Sequence, residues 1–371
     1  MAKLDFWGFN LTLRWLAALF LFVNLVALIF IPITPDEISR LTIAGDWLAG
    51  GVYDFSWPPM LILLNVVVKY FGGQAYSVRL LFLVIEISLL MLLSTRVVFA
   101  KNWWCVLVFP YLALILNIAS PQGLMVVLLP LLVYAAVQNK PKEAYIISFV
   151  IYLANPTCML ILPAAAMVTV IFLDENEVRL SYLYAILSAF FSILGIAYFL
   201  SIQGQNFMPT LTSNGPLNLY LGNNPSLVSF RGGADGVEWL SYDTGQYMSA
   251  VVAFLFEQPG AFFQNFLYKI IFWLAPFDQF RSGIGGAYYF LLFLYVAMVQ
   301  LICYYVFFRR IKNNSNAVLM TALYIFFIAW LAYVVFFVRL RYRIPFDLLL
   351  FIVAFTELRG FKSKKTKLFM G

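Results

Sequence analysis

Residues 11–40 read LTLRWLAALFLFVNLVALIFIPITPDEISR, an apolar run that ends directly in a proline and two carboxylates. The apolar part, residues 11–33, is long enough to cross a bilayer and too long for the apolar core of a signal peptide. The next residues predict a helix start, with Thr34 as N-cap, a proline at the first helical position and Glu37 in a capping box. The sequence therefore predicts a retained membrane span, followed by a second helix that carries Asp36 and Glu37 at the membrane surface.

The composition places the chain among membrane proteins. Of its 371 residues, 63% are hydrophobic and only 11% are charged, whereas about a quarter of the residues of a soluble domain are charged. The formal net charge of +7 is interpreted as a sign of membrane topology rather than of nucleic-acid binding, because basic residues mark the cytoplasmic loops of membrane proteins. The lipid bilayer is therefore an expected partner, and nucleic acid is not.

Ten apolar segments predict spanning helices in an all-α, polytopic fold. Two further apolar stretches, Pro58–Phe71 and Phe266–Phe277, are too short or too interrupted to span, and they predict surface or re-entrant helices. The fifth and sixth spans are both short and are divided at Asn155-Pro156-Thr157. The predicted spans are approximately residues 12–32, 76–99, 103–119, 123–138, 143–156, 158–173, 181–201, 286–308, 316–337 and 344–358.

The distribution of lysine and arginine predicts that both termini face the cytoplasm. With the N-terminus inside, fifteen of the 24 basic residues fall on the inner side, where the loops are short. The large extracytoplasmic segments are then residues 32–75 and 202–287, and residues 359–371 form a basic cytoplasmic tail facing anionic lipids. We therefore expect residues 1–371 to form one integral domain, a multi-pass protein of the inner (plasma) membrane.

Missing residue types limit the chemistry. The chain has no histidine, which excludes histidine-based triads and histidine-ligated metals and leaves acid–base work to Asp, Glu, Lys or Tyr. The three cysteines have unrelated spacings that fit neither a zinc site nor a disulfide framework. The sequence RGGADG at 231–236 lacks the lysine of a phosphate loop, so no direct use of a nucleotide is expected. A transferred group must then be lipid-borne or already outside.

The first outer segment offers either a candidate catalytic site or a simple helix cap. Asp36 and Arg40 are four residues apart and share a helix face. The helix dipole favours a negative charge in the first turn, which suits Asp36 as a base with Glu37 beside it and equally suits capping alone. Arg40 and Trp57 are candidate substrate-binding residues in this segment.

The candidate cations lie further along the chain. The stretch RLRYRIPFD, residues 339–347, places three arginines at the outer end of a span, and arginine forks match phosphate oxygens in pairs. Lys269 lies among aromatic residues of an amphipathic helix, within reach of a lipid phosphate. Anchoring to lipid headgroups is the alternative for all of these cations. The candidate phosphate ligands are Arg339, Arg341, Arg343 and Lys269.

Polar residues elsewhere complete the candidate set. The GNNP loop predicts an ordered lid or binding loop, with Asn223 and Asn224 as substrate-binding residues. Gln122, in NIASPQGLM, is a further candidate of this kind. Glu86 lies inside a predicted span, where we expect it to pair with a neighbour, with a proton path as the alternative.

Several short motifs follow one another in a recognisable order. After the Asp-Glu pair come LAGGVYDFSWPP, FGGQAYSVRLLFLV, the GNNP loop, EQPGAFFQNFLYKIIFW and RYRIPFDLLL. This order, over most of the chain, resembles GT-C-fold glycosyltransferases of the protein O-mannosyltransferase and lipid A aminoarabinose transferase kind. The resemblance implies a GT-C-like fold that transfers a sugar from a polyprenyl monophosphate on the outer membrane face, by inverting displacement and without a nucleotide.

The resemblance also implies roles for individual residues. Asp36 matches the catalytic aspartate of the first loop, and Glu37 matches its neighbour. Arg341 and Arg343, with Lys269, match basic residues near the lipid phosphate. No cofactor is expected, although a divalent metal is used by oligosaccharyltransferases of the same fold class.

Two departures from the family pattern affect the substrate. Trp57 stands where aminoarabinose transferases have a lysine before the Pro-Pro pair. Pro121 and Gln122 stand where the relatives have an acid after the third span, and this polar loop is closer to wider polyprenol-dependent mannosyl- and arabinosyltransferases. The resemblance therefore supports a donor class and a fold, but not those two substrates.

These patterns together predict a membrane glycosyltransferase. A sugar on a lipid phosphate has its own leaving group, so the reaction needs one base and cations to hold the departing phosphate. The acceptor would be an envelope glycan, a glycolipid or a protein. The alternatives are a lipid-linked glycan polymerase or ligase, a transporter or flippase, and a binding subunit without catalytic activity.

Overall fold

The computed structural model is all-α throughout the part of the chain that it describes, with no β-strand in that part. The described residues are 22, 24–26, 28–51, 57–96, 120–172, 176–203, 214–224, 244–274, 297, 300–301, 304–305, 317–336 and 342–353. The helices are α1 (Pro35–Leu48), α2 (Pro59–Tyr70), α3 (Ala75–Arg96), α4 (Pro121–Val137), α5 (Pro141–Ala154), α6 (Cys158–Phe172), α7 (Asn176–Gln203), α8 (Asn214–Gly222), α9 (Thr244–Glu257), α10 (Pro259–Leu274), α11 (Ala317–Val335) and α12 (342–353).

Helix α1 begins as the sequence predicts. The backbone N–H of Glu37 donates to Thr34 Oγ1, and the backbone N–H of Thr34 donates to Glu37 Oε2, which together form a capping box. Pro35 occupies the first helical position, where its missing N–H is no loss. The helix ends at Leu48, and Gly50 then takes a φ of +89°, a conformation that a residue with a Cβ rarely adopts.

Among the residues that the structure describes, two helices are long and apolar enough to cross a membrane. They are Leu180–Phe199 within α7 and Val318–Val335 within α11. Three apolar helices, α2, α4 and α6, are shorter. Length and composition alone therefore bear out part of the predicted membrane architecture.

Seven of the ten predicted spans coincide with a described helix, in α3 to α7, α11 and α12. The predicted spans 12–32, 103–119 and 286–308 and the basic tail 359–371 lie wholly or largely outside the described residues. The predicted division at Asn155-Pro156-Thr157 is confirmed, since α5 ends at Ala154 and α6 begins at Cys158. Asn155 is extended because a following proline disfavours the helical conformation.

Helix α4 lies at the centre of the described core. Nearly every residue from Gln122 to Ala136 is buried, and α4 packs against α3, α5, α7 and α11. A helix that is apolar all round has no face to turn to water, which accounts for this position. Around it, α5 packs on α7 and α6 packs on α11.

Two further helices lie beside this core, at the two stretches that the sequence predicts to be helices too short or too interrupted to span. The predicted Pro58–Phe71 helix is α2, which packs on α1, α3 and α5. The helix predicted around Phe266–Phe277 is α10, and it begins earlier, at Pro259, directly after the break at Gln258 that ends α9. Helix α10 is two-faced, with Phe263, Leu267 and Ile271 exposed and with Lys269 and Trp273 buried.

Candidate functional site

The start of α1 is held by a buried ion pair with α3. Arg79 Nε lies 2.6 Å from Glu37 Oε1, and Arg79 Nη2 lies 2.7 Å from Glu37 Oε2, so the two side chains meet in a two-pronged contact. Arg79 Nη1 and Nη2 also donate to the carbonyls of Ile31 and Pro32, at 2.6 and 2.7 Å. Both charged side chains are buried. Arg79 thus binds the α1 acid and the chain that leads into it.

Glu37 is fully used by these contacts. Its Oε2 accepts from the backbone N–H of Thr34 at 2.8 Å and from Thr34 Oγ1 at 2.9 Å, in addition to Arg79. A carboxylate with charge-assisted partners on both oxygens is a structural anchor. The structure therefore places Glu37 in a supporting position rather than open to a substrate.

Asp36, the neighbouring acid, is exposed. None of the contacts that hold the helix start uses its carboxylate. It occupies the second helical position, where the free backbone N–H groups of the first turn favour a negative charge. We call Thr34, Asp36, Glu37 and Arg79 the α1 cluster.

The structure brings Arg40 and Trp57 together. The guanidinium carbon of Arg40 lies 5.1 Å from the centre of the Trp57 ring, within cation–π range. Arg40 is buried, although Asp36 on the same side of α1 is exposed. Two predicted substrate-binding residues are therefore neighbours in the structure.

Glu86 lies two turns further along α3 from Arg79 and has a different environment. It is fully buried, and neither of its oxygens has a hydrogen-bond partner within the described part of the chain. The structure shows no pairing of Glu86 with a neighbour among the described residues. Its carboxyl group lies against the first turn of α4, where a Cβ at Gly123 would overlap Glu86 Oε1. Gln122, the adjacent candidate, is also buried.

A second polar cluster lies where α8, α10 and α11 meet. Lys269 Nζ donates to Asn223 Oδ1 at 2.7 Å and to the carbonyls of Val335 and Phe336, both at 3.3 Å. Asn223 Nδ2 donates to the same two carbonyls, at 2.8 and 3.4 Å, and to Leu219 O at 2.8 Å. We call Asn223, Lys269 and the carbonyls of Val335 and Phe336 the Lys269 cluster.

Burial also changes the pKa of Lys269. Loss of solvent lowers the pKa of Lys269 from its ordinary value to about 7. Below that pH the ammonium carries three N–H groups, which match the three acceptors around it. Because two of these acceptors are carbonyls at the end of α11, the positive charge also faces the negative end of that helix.

Comparisons with models of protein families, with curated proteins and with solved structures yield no match. The chemistry of the site is therefore inferred from its own side chains. Most of the sequence-predicted residues that the structure describes fall into two groups, the α1 cluster with Arg40 and Trp57, and the Lys269 cluster, whereas Gln122 at the start of α4 belongs to neither. Arg339 and Arg341 lie outside the described residues.

Asn224 and Arg343 border the Lys269 cluster. Asn224 Nδ2 donates to Tyr220 O at 3.0 Å, which together with Asn223 satisfies carbonyls at the end of α8. Arg343 Nε lies 2.7 Å from Asp347 Oδ2, and Arg343 Nη1 donates to Trp273 O. Both members of this ion pair are buried. The predicted phosphate ligand Arg343 is thus already paired in the structure.

Aromatic rings stack beside these cations. The Trp273 and Tyr333 rings are 5.4 Å apart and nearly parallel, and the Tyr333 and Tyr342 rings are 5.5 Å apart and nearly parallel. The hydroxyl of Tyr333 accepts from Asn155 Nδ2 at 3.2 Å. The stack therefore joins α10, α11 and α12 to the turn between α5 and α6.

The sequence marks Arg79 only as a weak candidate. What the sequence shows is its position, because Arg79 is a single arginine near the outer end of a predicted span. An unpaired charge is costly there, so a buried partner is expected. The carboxylates predicted at the same surface are those of Asp36 and Glu37. Nothing in the local pattern chooses between them, since the choice depends on how α3 packs against α1.

Proposed function

We propose that this protein is a polytopic glycosyltransferase of the inner (plasma) membrane. It would move a sugar from a polyprenyl-phosphate donor to an envelope glycan, a glycolipid or a protein on the extracytoplasmic face. The proposal rests on the GT-C resemblance and on the chemistry of the α1 cluster, and the all-α fold with two membrane-length helices is consistent with it. It includes the ten-span topology with both termini in the cytoplasm.

The observation that carries the proposal is the contrast between two adjacent carboxylates, of which one is buried and paired and the other is exposed. Glu37 is buried and bound by Arg79 and Thr34, whereas Asp36 is exposed beside it. The exposed acid is therefore held on a helix whose first turn is fixed by its neighbour. Such an arrangement suits a base, because a catalytic group must be both accessible and held in place.

The reaction has few requirements. Asp36 would accept the proton of an acceptor hydroxyl as that oxygen forms its bond to the anomeric carbon of the sugar. The bond from that carbon to the phosphate oxygen breaks at the same time, and polyprenyl phosphate leaves with the bonding electrons. Cations would stabilise the charge that develops on the phosphate.

The proposed donor site is formed from the cations of the chain end. Arg339 and Arg341 are its proposed direct ligands, with Arg343 and Lys269 beside them. Arg40, Trp57, Gln122, Asn223 and Asn224 are the proposed substrate-binding residues. The proposal requires the α1 cluster and the Lys269 cluster to open onto the same substrate cavity.

Transfer by the purified protein tests this proposal. The wild type and Asp36→Asn are incubated with radiolabelled polyprenyl-phosphate sugars and candidate acceptors, and labelled product is counted. Because Asn cannot accept the proton, we expect Asp36→Asn to lose transfer by about 100-fold or more. Its melting temperature should stay close to that of the wild type.

Three outcomes would contradict the proposal. Undiminished transfer by Asp36→Asn would remove Asp36 as the base. Turnover only with pyrophosphate-linked oligosaccharides would favour a polymerase or ligase. Movement of a lipid-linked sugar across vesicles without bond formation would favour a flippase.

A further inference from the structure

Lys269 already has as many partners as it has protons to donate. An ammonium group offers three N–H bonds, and Asn223 Oδ1, Val335 O and Phe336 O lie within hydrogen-bond distance of Lys269 Nζ. The side chain is buried within this shell of acceptors. A phosphate oxygen could be bound only by giving up one of them.

The same acceptors bind Asn223, so the contact joins three helices. Asn223 follows α8 directly, and its Nδ2 donates to Val335 O and Phe336 O while its Oδ1 accepts from Lys269. The last carbonyls of an α-helix have no intrahelical partner, so those at the end of α11 need donors from outside the helix. Lys269 and Asn223 together therefore cap α11 from two other helices.

A second hydrogen bond joins α10 to α12, one turn further along α10, and here α10 is the acceptor. Trp273, four residues after Lys269, accepts a hydrogen bond from Arg343 Nη1 through its carbonyl. The end of α11 and the start of α12 are thus each bound to α10, at positions about 6 Å apart along its axis. Asp347 completes the charge balance of Arg343.

We propose that Lys269 is a positioning residue, whose ammonium holds Asn223 and the last carbonyls of α11 on α10, rather than a ligand of the donor phosphate. The kinetic part of this inference rests on the proposed function, because Lys269 would act through the arginine-bearing chain that follows α11. The structural part, a three-helix contact that depends on Lys269 and Asn223 together, stands without it.

A double-mutant cycle distinguishes positioning from direct binding. The variants are Lys269→Met, Asn223→Leu and the double variant, compared at about pH 6, below the pKa of Lys269. For positioning, each single variant lowers kcat/KM for the donor about tenfold and lowers the melting temperature, and the double variant loses no more than the worse single one. Losses that multiply to about 100-fold, with additive shifts in melting temperature, would overturn the proposal.

The conservative variant Lys269→Arg gives an independent readout. A planar guanidinium cannot place three N–H groups on three acceptors around one point, but it matches phosphate well. Positioning therefore predicts that Lys269→Arg stays as impaired as Lys269→Met. Restoration of kcat/KM by arginine would show direct binding and overturn the proposal. Lys142→Met, at an exposed lysine on α5, is the matched control and should resemble the wild type.

The cycle separates this inference from the proposed function. If the wild type transfers no sugar, the proposed function fails, and the melting-temperature cycle still decides the three-helix contact. Coupling between Lys269 and Asn223 supports the contact, and its absence overturns it. If Lys269→Met does not fold, Lys269→Gln replaces it in the same cycle, since Gln keeps two donors without the charge.

Discussion

At the residue scale, the start of α1 shows how two adjacent carboxylates can have opposite environments. Glu37 points into a buried pair with Arg79, and Asp36 points to the exterior. Adjacent residues in a helix are directed to different faces, so one can be an anchor while the other stays accessible. The stability of α1 and the chemistry proposed for it therefore depend on different side chains.

This separation predicts different effects of two conservative substitutions. Glu37→Gln removes the charge opposite a buried guanidinium, and breaking a buried ion pair on one side costs about 3–5 kcal/mol. Asp36→Asn changes an exposed side chain and should alter the free energy of unfolding by no more than about 0.5 kcal/mol. Unfolding of both variants in detergent, followed by tryptophan fluorescence, measures the difference.

The pair itself provides the control. The double variant Glu37→Gln, Arg79→Gln should lose no more stability than the worse single variant, since the unpaired charge is then absent. Equal stabilities of Glu37→Gln and Asp36→Asn would show that Arg79 does not depend on Glu37.

The local part of this cluster was predictable, and the distant part was not. Thr34, Pro35 and Glu37 form the predicted cap because all of its contacts lie within one turn of helix. The partner Arg79 is 42 residues away, and its choice of Glu37 depends on the packing of α3. For the same reason Lys269 could be named from its position among aromatics, whereas its three acceptors come from elements far along the chain.

At the element scale, the contact between α3 and α4 depends on a glycine. Gly123 lies in the first turn of α4, where a Cβ would overlap the buried carboxyl group of Glu86. We expect Gly123→Ala to be destabilising by about 1–3 kcal/mol, although alanine favours helix, because overpacking outweighs propensity here. Thermal unfolding in detergent measures the loss.

Shortening the opposing side chain tests the cause. In a Glu86→Ala background, Gly123→Ala should become neutral or stabilising, since the space is then free. The matched control is Gly195→Ala on α7, where an added Cβ would meet no atom of the described residues within 4 Å and should not destabilise the helix. A Gly123→Ala protein as stable as Gly195→Ala would contradict the close approach.

Helix boundaries were predictable where proline or glycine sets them. Pro156 separates α5 from α6 and Gly50 follows the end of α1, as the sequence indicates. The apolar stretch Phe266–Phe277 begins after the start of α10 at Pro259, because Gly260, Gln264 and Asn265 interrupt the apolar pattern in the first turns of the helix. A local pattern of hydrophobicity shows that a helix exists but not the residue at which it begins.

At the scale of the whole molecule, the proposed topology can be tested by fusing reporter proteins to the chain. With both termini in the cytoplasm, a C-terminal green fluorescent protein should fluoresce and a C-terminal alkaline phosphatase should be inactive in a bacterial host. A phosphatase fused after residue 57, in the first proposed outer segment, should be active. The reverse pattern at either position would contradict the orientation.

The all-α class of the described residues is the easiest feature to predict from the sequence, and the number of membrane spans is the hardest. Composition alone indicates a membrane protein, and helices α7 and α11 contain segments of spanning length. Helix α4 shows why the count of spans is harder, since it is apolar but short and buried by other helices on nearly every side. Hydropathy cannot distinguish a residue covered by lipid from one covered by protein.

The pair between Glu37 and Arg79 also closes a loop in the chain. It joins positions 42 residues apart, whereas α2, which lies between them in sequence, is held separately by its packing on α3 and α5. Loss of the pair should therefore raise amide exchange most at the start of α1, which depends on Glu37, and least in α2. The order of the turn that carries Asp36 thus depends on an ionic contact in which Asp36 takes no part.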